Sequence, residues 1–347
     1  MKIGFLYYKF YPIEGGAAIH GYNLAKELSL LGFKLYKLNG ENDPYTIKLN
    51  NPFTGFFWML AKCDLFYARM DYFFKFRNFL VVLALLFRKK MIVELNAPSD
   101  ELYLYGKTKA YIDRVDWLMA RILKRADVVI VVSEPIKQYC SKQLGLENVV
   151  VVENGANPFD ISSESVSENI IRQLNSIKSN WQKLVVWSGS TNKMQNLDDL
   201  IILAKKTKTK AAFLIIAKEE PGEQLQDVNE PNVFIWKGLK RPDVEYIIKE
   251  SDVGIAIYDD YHWSRWGFYN SSLKTFEYLN NGLITISNKE GTEIQKMNSN
   301  FRYARNLDEM LTFIDEKLPA TGSVNQYRTW KHVASEISNL IYRPNPA

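Results

Sequence analysis

Cysteine and histidine are scarce in this chain of 347 residues, which has two cysteines and three histidines. Cys63 and Cys140 belong to no Cys-x-x-Cys pair, so the sequence offers neither a disulfide framework nor a zinc site. The longest uncharged apolar run, FLVVLALLF (79–87), is too short to span a bilayer as a helix. The start, MKIGFLYYKFYP, lacks the apolar region of a signal peptide. These absences favour a protein of the reducing cytoplasm that has no membrane-spanning helix.

A large charge surplus is also missing. The chain has 44 basic and 39 acidic residues, a formal net charge of +5, which is too small to indicate nucleic acid as a partner. Hydrophobic residues make up 47% of the sequence, which is typical of a globular protein with sizeable cores. The length predicts two domains.

Apolar runs of strand length alternate with helical patterns in the first half of the chain. The predicted strands are residues 2–8, 33–39, 63–69, 90–96, 126–133 and 149–154. The predicted helices are residues 21–32, 73–88, 107–125 and 134–144. Strands that alternate with helices predict a doubly wound parallel sheet.

The polar, serine-rich segment 157–169 predicts a linker, after which the alternation restarts. Further strands are predicted at residues 183–190, 211–217, 233–238, 252–260 and 282–288, and further helices at 196–207, 242–250, 272–281 and 325–342. We therefore predict two α/β domains of similar size, residues 1–157 and 158–324, with ligands bound at the carboxyl ends of the strands.

Four loops that follow predicted strands carry residues suited to a phosphate or a sugar. In IEGGAAIHGYN (13–23), Gly15 and Gly16 suit a phosphate that approaches backbone N–H groups at a helix start. The alternative is a turn that only packs strand against helix. His20 lies in the first turn of that helix, and a lone histidine there is more often a packing residue.

The loop ELNAPSDEL (94–102) follows an apolar strand. Glu94 and Asn96 alternate onto one side of the strand, and Asp100 and Glu101 begin the next segment. Carboxylates at a strand end can orient sugar hydroxyls or act as a base, and they can equally be charges at a helix start.

The remaining two loops lie in the second half of the chain. SGSTNKMQN (188–196) places Gly189, Ser190 and Lys193 before a helix, which suits a diphosphate or is an ordinary capped turn. In SSLKTFEYLNNGLITISN (271–288), Lys274 and Glu277 stand three apart. They either form a surface ion pair or face a phosphate and the hydroxyls of a ribose.

In their order and spacing, these segments resemble a GT-B glycosyltransferase of the large retaining family often called family 4. GGAAIHGYNLAKELSLLGF is similar to the N-terminal loop and helix of that family, and ELNAP is similar to the EvNaP of some members. ADVVIVVS and VVENGAN match two further family positions. SSLKTFEYLNNGLITISN resembles P.K..EYlA.G.PVi.s and is the most specific segment.

The resemblance implies two Rossmann-like domains that face each other across a cleft. It implies that residues 1–157 form the acceptor side, that residues 158–324 bind a nucleotide-sugar donor, and that a C-terminal helix within 325–347 packs back on the first domain. It implies transfer with retention to a glycan or lipid-linked glycan, in the synthesis of a cell-surface polysaccharide or glycoconjugate, without a metal or other cofactor. His20, Glu94 and Asn96 are the candidate catalytic residues.

Applied residue by residue, the resemblance also implies which residues bind the donor. Lys274 and the amides around Ser272 and Leu273 would meet the diphosphate, and Glu277 would hold the ribose. Gly15 and Gly16 would approach the phosphates or the donor sugar, and the loop of Gly189, Ser190 and Lys193 would contribute as well.

The chain departs from the family pattern at three places. Tyr269 stands where many members have a glutamate, eight residues before Glu277. Ser190 and Gln195 stand where many members have an arginine and a lysine. Two rival hypotheses therefore remain: a nucleotide-sugar epimerase on the same fold, and a non-catalytic homologue that binds nucleotide-sugar.

The N-terminal domain is also rich in aromatic and basic residues. Residues 53–90 contain twelve aromatics and only two acids, Asp64 and Asp71, and residues 107–125 form a basic amphipathic pattern. A surface of this kind can rest on anionic lipid headgroups at the inner face of a membrane. The alternative is that the apolar residues are core and the basic ones simply solvated.

Overall fold

The computed structural model describes residues 1–7, 10–11, 13, 15–73, 75–162, 165–207, 209–218, 225, 228–316 and 328–342. The chain divides into two compact units. The N-terminal unit comprises Met1–Asn154, Tyr261–Ser271 and Trp330–Ala347, and the C-terminal unit comprises Gly155–Asp260 and Ser272–Thr329. The short segment Tyr261–Ser271 thus interrupts the C-terminal unit in sequence and belongs to the N-terminal one.

The N-terminal unit is built on a parallel sheet of seven strands among the described residues, in the order β3-β2-β1-β4-β5-β6-β7. The strands are β1 (Lys2–Leu6), β2 (Lys34–Lys37), β3 (Thr46–Lys48), β4 (Leu65–Met70), β5 (Met91–Leu95), β6 (Val128–Val131) and β7 (Val149–Val151). Its helices are α1 (Gly16–Leu30), α2 (Pro52–Lys62), α3 (Phe76–Leu86), α4 (Lys109–Leu123) and α5 (Glu134–Gln138), with a 3-10 helix at Ser99–Tyr105 and a π-helical turn at Tyr139–Gln143.

The C-terminal unit has a second parallel sheet, with six strands among the described residues in the order β10-β9-β8-β11-β12-β13. The strands are β8 (Lys183–Gly189), β9 (Ala211–Ala217), β10 (Val233–Lys237), β11 (Val253–Ala256), β12 (Ile284–Ser287) and β13 (Phe301–Tyr303). The helices are α6 (Glu168–Asn180), α7 (Leu197–Lys206), α8 (Arg241–Lys249), α9 (Leu273–Asn280), α10 (Glu293–Lys296) and α11 (Leu307–Asp315).

Burial on both faces explains why the central strands read as continuous apolar runs. All seven residues of β9, AAFLIIA, are buried, as parallel sheets covered by helices on both faces require. Two clusters of buried side chains cover the two faces of this sheet: Phe213 and Ile215 belong to one, and Leu214 and Ile216 to the other. The prediction of a doubly wound α/β fold with two parallel sheets is confirmed.

The final helix, α12 (Trp330–Tyr342), packs against α1 in the N-terminal unit. The ring of Trp330 lies 4.9 Å from that of His20, and Lys90 Nζ donates to the carbonyl oxygen of Ile341 at 2.9 Å. The prediction that the last helix belongs with the N-terminal domain is confirmed. Residues 325–327 and 343–347 of the predicted segment lie outside the described residues, as does Tyr8 at the end of the first predicted strand.

Several predicted boundaries were wrong. The first helix begins at Gly16 and not at Gly21, because Gly15 takes a φ of 81° and its carbonyl accepts from Ala18 N and Ile19 N. The helix Pro52–Lys62 was not predicted, although the Asn51 side chain caps it by accepting from Phe53 N and Thr54 N. The predicted linker overlaps α6, and strand β13 and helix α11 were missed.

The sequence predicted no membrane-spanning helix, and the helices of the structure agree with this. Among the described residues, none of them combines the length and the apolar character needed to cross a bilayer.

Candidate functional site

Three strands and one helix of the N-terminal unit direct polar side chains to one buried point near the carboxyl ends of the strands. We call this the Glu94 cluster, and its members are Tyr7, His20, Tyr67, Arg69, Glu94 and Asn96. Glu94 lies on β5 and is only 1% exposed. Its Oε2 accepts from Tyr67 Oη at 2.7 Å, and its Oε1 accepts from Asn96 Nδ2 at 2.7 Å.

Two basic side chains complete the cluster. His20 Nε2 lies 3.3 Å from Glu94 Oε2, and Arg69 Nη1 lies 3.6 Å from Glu94 Oε1. Arg69 also donates to Tyr7 Oη at 2.8 Å, and Tyr7 Oη in turn lies 3.4 Å from Glu94. The structure therefore brings the three predicted catalytic residues, His20, Glu94 and Asn96, to one place. Their catalytic role stays a prediction.

Glu94 is ionised despite its burial. Burial alone would raise the pKa of its carboxyl, but the charge of His20, its hydrogen bond, the charge of Arg69 and the bond from Tyr67 together lower the pKa to about 2. The cluster thus holds a fixed negative charge at neutral pH, matched by cationic and hydroxyl partners.

The other acidic residues of this loop have a structural partner that the sequence did not indicate. Asp100 is fully buried and accepts from the Arg265 backbone N–H at 2.6 Å, from Nε at 2.9 Å and from Nη2 at 2.6 Å. Asp116 Oδ2 lies 3.5 Å from the same guanidinium. Asp100 therefore anchors the segment Tyr261–Ser271 within the N-terminal unit, and it also lies in the first turn of the 3-10 helix Ser99–Tyr105.

Tyr269, which stands where many family members have a glutamate, lies in the same segment. Its hydroxyl donates to Glu101 Oε2 at 3.3 Å, and its carbonyl oxygen accepts from Ser133 Oγ at 2.5 Å. Burial and the neighbouring Glu101 raise the pKa of Tyr269 far above its ordinary value, so this hydroxyl stays protonated. It is a hydrogen-bond donor in place of a carboxylate.

In the C-terminal unit, the predicted diphosphate residues gather around one ammonium group. Lys274, in the first turn of α9, donates to Gln195 Oε1 at 2.9 Å. Its Nζ lies 4.3 Å from the centre of the Trp187 ring and 5.7 Å from that of Tyr258. Burial lowers the pKa of this ammonium to about 7. Lys274 is thus a cation held by one neutral amide and two aromatic faces.

Gly189 leaves the space that Lys274 occupies. A Cβ at this position would lie 3.0 Å from Lys274 Nζ, and the backbone φ of 155° is one that residues with a side chain rarely adopt. The glycine of the SGSTNKMQN loop therefore serves close approach to the lysine. Gln195, a departure from the family pattern, supplies the amide that holds it, whereas Lys193 is exposed and Ser190 is half-buried.

The amino end of α9 is formed by Ser272 and Leu273. Ser272 is the N-cap: its Oγ accepts from Thr275 N at 3.5 Å and bonds Tyr258 Oη at 2.5 Å. The Ser272 hydroxyl is therefore committed within the protein. The predicted contact through backbone amides around Ser272 and Leu273 stays a prediction.

Glu277 pairs with a residue that the sequence reasoning missed. Its Oε1 accepts from Arg241 Nη2 at 2.5 Å, and Arg241 Nε donates to Glu245 at 2.7 Å. Glu277 is buried, so the surface ion pair between Lys274 and Glu277 is not what the structure forms. The clue to Arg241 was its place at the start of a helix directly after β10, although nothing local paired it with Glu277.

The described residues contain no group of three or more histidine, cysteine, aspartate or glutamate side chains that could hold a metal ion. The ammonium of Lys274 and the amino end of α9 are sources of positive charge near the predicted diphosphate site.

Comparison with known families gives a match for the N-terminal part of the chain. Residues 14–158 match the sequence model of Glycosyltransferase Family 4. The chain carries a glycosyltransferase family 4 domain. The match covers the glycines of the first loop, the Glu94 cluster except for its Tyr7, and the ELNAP segment. No curated protein matches the sequence.

Solved structures share its fold over nearly the whole length. Sucrose-phosphate synthase from Thermosynechococcus elongatus aligns with a TM-score of 0.68 at 13% identity, covering 98% of each chain. Anabaena HepE, solved in complex with UDP and glucose, aligns with a TM-score of 0.63 at 16% identity, covering 98% of this chain and 95% of its own. UDP-GlcNAc 2-epimerase from Neisseria meningitidis, bound to UDP-GlcNAc, aligns with a TM-score of 0.53 at 13% identity, covering 98% and 99%. This protein therefore has the GT-B fold, which transferases and epimerases share.

Proposed function

We propose that this family 4 protein transfers a sugar, with retention, from a nucleotide-sugar donor to a glycan or a lipid-linked glycan. Its place would be the synthesis of a cell-surface polysaccharide or glycoconjugate. The observation that carries the proposal is the environment of Lys274: a half-buried ammonium that contacts a neutral amide and two ring faces, and for which the charge of Glu277 does not offset the effect of burial. A diphosphate would supply the negative charge that this ammonium lacks.

The paired carboxylate one turn further along α9 supports the same reading. Arg241 bonds Glu277 Oε1 and so fixes the orientation of the carboxylate. A carboxylate held in this way can accept hydrogen bonds from both hydroxyls of a ribose. The solved complexes of HepE with UDP and glucose, and of the epimerase with UDP-GlcNAc, make UDP-sugars the first donors to test.

The test is calorimetric titration with UDP-glucose, UDP-GlcNAc, GDP-mannose, ADP-glucose and dTDP-glucose. We expect one of these donors to bind and Lys274→Ala to weaken that binding by about ten- to a hundred-fold, since a hydrogen bond to a charged group contributes about 1.5–3 kcal/mol. Lys205→Ala, which removes an exposed lysine of α7, should leave the affinity unchanged. Equal affinity in both variants would contradict the site.

The same donor distinguishes the rival functions. A transferase should release free sugar slowly from the donor in the absence of an acceptor, whereas an epimerase should interconvert two nucleotide-sugars and a binding homologue should do neither. Proton NMR of the donor during a long incubation reads all three outcomes. Appearance of a second nucleotide-sugar without free sugar would replace the proposed transfer with epimerisation.

We also propose that transfer needs no metal ion. The fixed ammonium of Lys274 and the amino end of α9 place positive charge where the diphosphate would leave. Donor hydrolysis should therefore proceed at the same rate in EDTA and in magnesium chloride. A loss of activity in EDTA that magnesium restores would show that a metal takes part.

A second proposal concerns where the protein works. The connections β3-α2-β4, β4-α3-β5 and β5-α4-β6 cross the sheet in one direction, so right-handed crossovers place α2, α3 and α4 on the same face. The outer side of this helical layer carries large aromatic residues that are 45–64% exposed: Phe53, Phe57, Phe76, Phe79, Phe87 and Trp117. Basic residues such as Lys62, Lys75 and Arg88 are exposed among them.

An exposed aromatic layer with basic residues fits the inner face of an anionic membrane, where rings insert and charges meet lipid headgroups. In flotation with vesicles of phosphatidylglycerol and phosphatidylcholine, we expect the protein to bind at low salt and less at high salt. Phe76→Ser with Phe79→Ser should reduce binding at both salt levels. Met297→Ser, which removes an exposed apolar residue of the C-terminal unit, is the matched control. Binding that is unchanged by the paired phenylalanine variant would contradict this surface.

A further inference from the structure

The N-terminal unit has a cavity of about 340 Å³ beside the Glu94 cluster. It lies where β4 and β5 end and is closed on another side by the 3-10 helix Ser99–Tyr105. Its volume is close to the lower limit for small-molecule sites, about 300 Å³. The carboxyl ends of parallel strands are also where α/β sheets bind ligands. The cavity therefore has the size and place of a site for one small ligand.

Two aromatic rings form one wall of the cavity. Phe73 and Tyr105 both line it, and their ring centres lie 5.1 Å apart with an angle of 89° between the planes. Tyr105 is 58% exposed, so its ring is accessible and is not a core residue. Phe73 meets Tyr105 edge to face, and the accessible face of the Tyr105 ring is a flat apolar surface that matches the C–H face of a pyranose.

The inner polar groups of the cavity are mainly hydrogen-bond acceptors. Asn96 gives its Nδ2 to Glu94, while its Oδ1 is buried and accepts no hydrogen bond from the described residues. Glu101 Oε2 accepts from the Tyr269 hydroxyl at 3.3 Å. Burial raises the pKa of the Glu101 carboxyl above its ordinary value. These oxygens call for a ligand that donates from hydroxyl groups.

The charges of the lining are largely matched within the protein. Arg69 donates to Tyr7 Oη and faces Glu94, and Asp71 pairs with Arg77 at 3.1 Å. Lys75 is exposed at the start of α3 and lies at the rim. Among the lining residues that the structure describes, each inner cation already faces a carboxylate of the protein. The cavity therefore offers no unmatched inner cation to a negatively charged ligand.

We infer that this cavity binds an uncharged pyranose ring, stacked on the exposed ring of Tyr105 and hydrogen-bonded by its hydroxyls to Asn96 and Glu101. The further assignment of this ring as the terminal sugar of the acceptor rests on the proposed transferase function, whereas the sugar binding itself does not. The Glu94 cluster would then lie beside the acceptor, because Arg69 and Asn96 belong both to the cluster and to the lining of the cavity.

The test uses saturation-transfer NMR with methyl glycosides of glucose, galactose, mannose and N-acetylglucosamine, and with glucuronic acid as the charged counterpart. At least one neutral glycoside should bind, and glucuronic acid should bind more weakly than the best of them. Tyr105→Ala should weaken the binding by about two- to tenfold through loss of the ring face. Glu101→Leu should weaken it through loss of an acceptor.

Tyr111→Ala is the matched control, because Tyr111 is an exposed tyrosine on α4 and does not line the cavity. The inference is overturned if no neutral glycoside binds, if glucuronic acid binds best, or if Tyr105→Ala and Tyr111→Ala bind alike. Titration of the donor in the same samples separates the two proposals. Glycoside binding that depends on Tyr105, in a protein that binds no nucleotide-sugar, would support the cavity and refute the transferase.

Discussion

Glu94 and Lys274, one in each unit, are both shielded from solvent, but their surroundings have opposite effects on their charges. Glu94 in the N-terminal unit has hydrogen-bonding or cationic neighbours on both carboxylate oxygens, and its pKa falls to about 2. Lys274 in the C-terminal unit has one amide and two ring faces, and its pKa falls to about 7. A lowered pKa means a stabilised charge for the carboxylate and a destabilised charge for the ammonium.

Glu94 therefore belongs to a network whose charges are matched within the protein, whereas Lys274 lacks a paired counter-charge. The partners of Glu94 all belong to the protein, so its charge contributes to folding. Lys274 forms no ion pair with a carboxylate among the described residues, and burial outweighs the favourable charge of Glu277, so an added anion would stabilise the ammonium. Removing the first charge should therefore damage stability, and removing the second should damage binding.

The largest expected effect is on the stability of Glu94→Gln. Removing one charge from a buried network leaves its cationic neighbours uncompensated, which costs about 3–5 kcal/mol. Urea denaturation at neutral pH measures this loss. Glu134→Gln, at an exposed carboxylate that lies 3.5 Å from Lys137, should cost less than about 1 kcal/mol. A Glu94→Gln variant as stable as this control would show that the network is not matched as described.

The pH dependence of stability is a second test of Glu94. The Glu94 carboxyl has a pKa of about 2 in the folded protein and 4.5 as its ordinary value. Its contribution, roughly 3 kcal/mol, is therefore present above a pH of about 4.5 and is lost as the pH falls from there towards about 2. Denaturation midpoints measured across this range should fall less steeply in Glu94→Gln than in the wild type. Parallel curves would contradict the assignment.

Lys274→Met should have an effect on binding without the corresponding loss of stability. Methionine keeps the aliphatic stem between Trp187 and Tyr258 and removes the ammonium, so the unliganded protein should be as stable as the wild type or more so. Donor affinity should fall by about ten- to a hundred-fold, as in the alanine variant. Comparing thermal unfolding with and without donor measures both quantities. A variant that is both unstable and normal in donor binding would reverse the comparison.

The smallest expected effect is the pH dependence of donor binding. In the free protein the pKa of Lys274 is about 7, and a bound diphosphate would raise it. Binding therefore takes up a proton above a pH of about 7, and donor affinity should fall by up to about tenfold per pH unit as the pH rises further. Calorimetry in buffers of different ionisation enthalpy counts the protons. Lys274→Met should show a flat profile over the same range, and a flat profile in the wild type would remove Lys274 from the donor site.

The sequence predicted local features better than contacts between residues that are distant in sequence. The run AAFLIIA gave strand β9 its observed bounds, because burial on both faces leaves an unbroken apolar pattern. The predicted helix 196–207 starts at Asn196, which is the N-cap of α7 and accepts from Asp199 N. Patterns of this kind depend on neighbours along the chain, which the sequence shows directly.

Partners that are distant in sequence could not be predicted in the same way. His20 and Glu94 were each identified, but their contact depends on the order of β1, β4 and β5 in the sheet. The pairs of Glu277 with Arg241 and of Asp100 with Arg265 follow no local spacing. The helix Pro52–Lys62 was missed because most of its aromatic residues (Phe53, Phe57 and Trp58) are exposed, which weakens the helical pattern.

The segment Tyr261–Ser271 has a consequence for the order in which the protein can fold during synthesis. Asp100 is fully buried, and Arg265, which satisfies it, follows 165 residues later. At a synthesis rate of about 5–20 residues per second, the ribosome needs roughly 8–33 s to make that stretch. During this interval, residues 1–154 have emerged with Asp100 and Asp116 lacking their guanidinium. The first unit thus gains the guanidinium of Arg265 only after most of the second unit has been translated, and its last helix, α12, only after all of it.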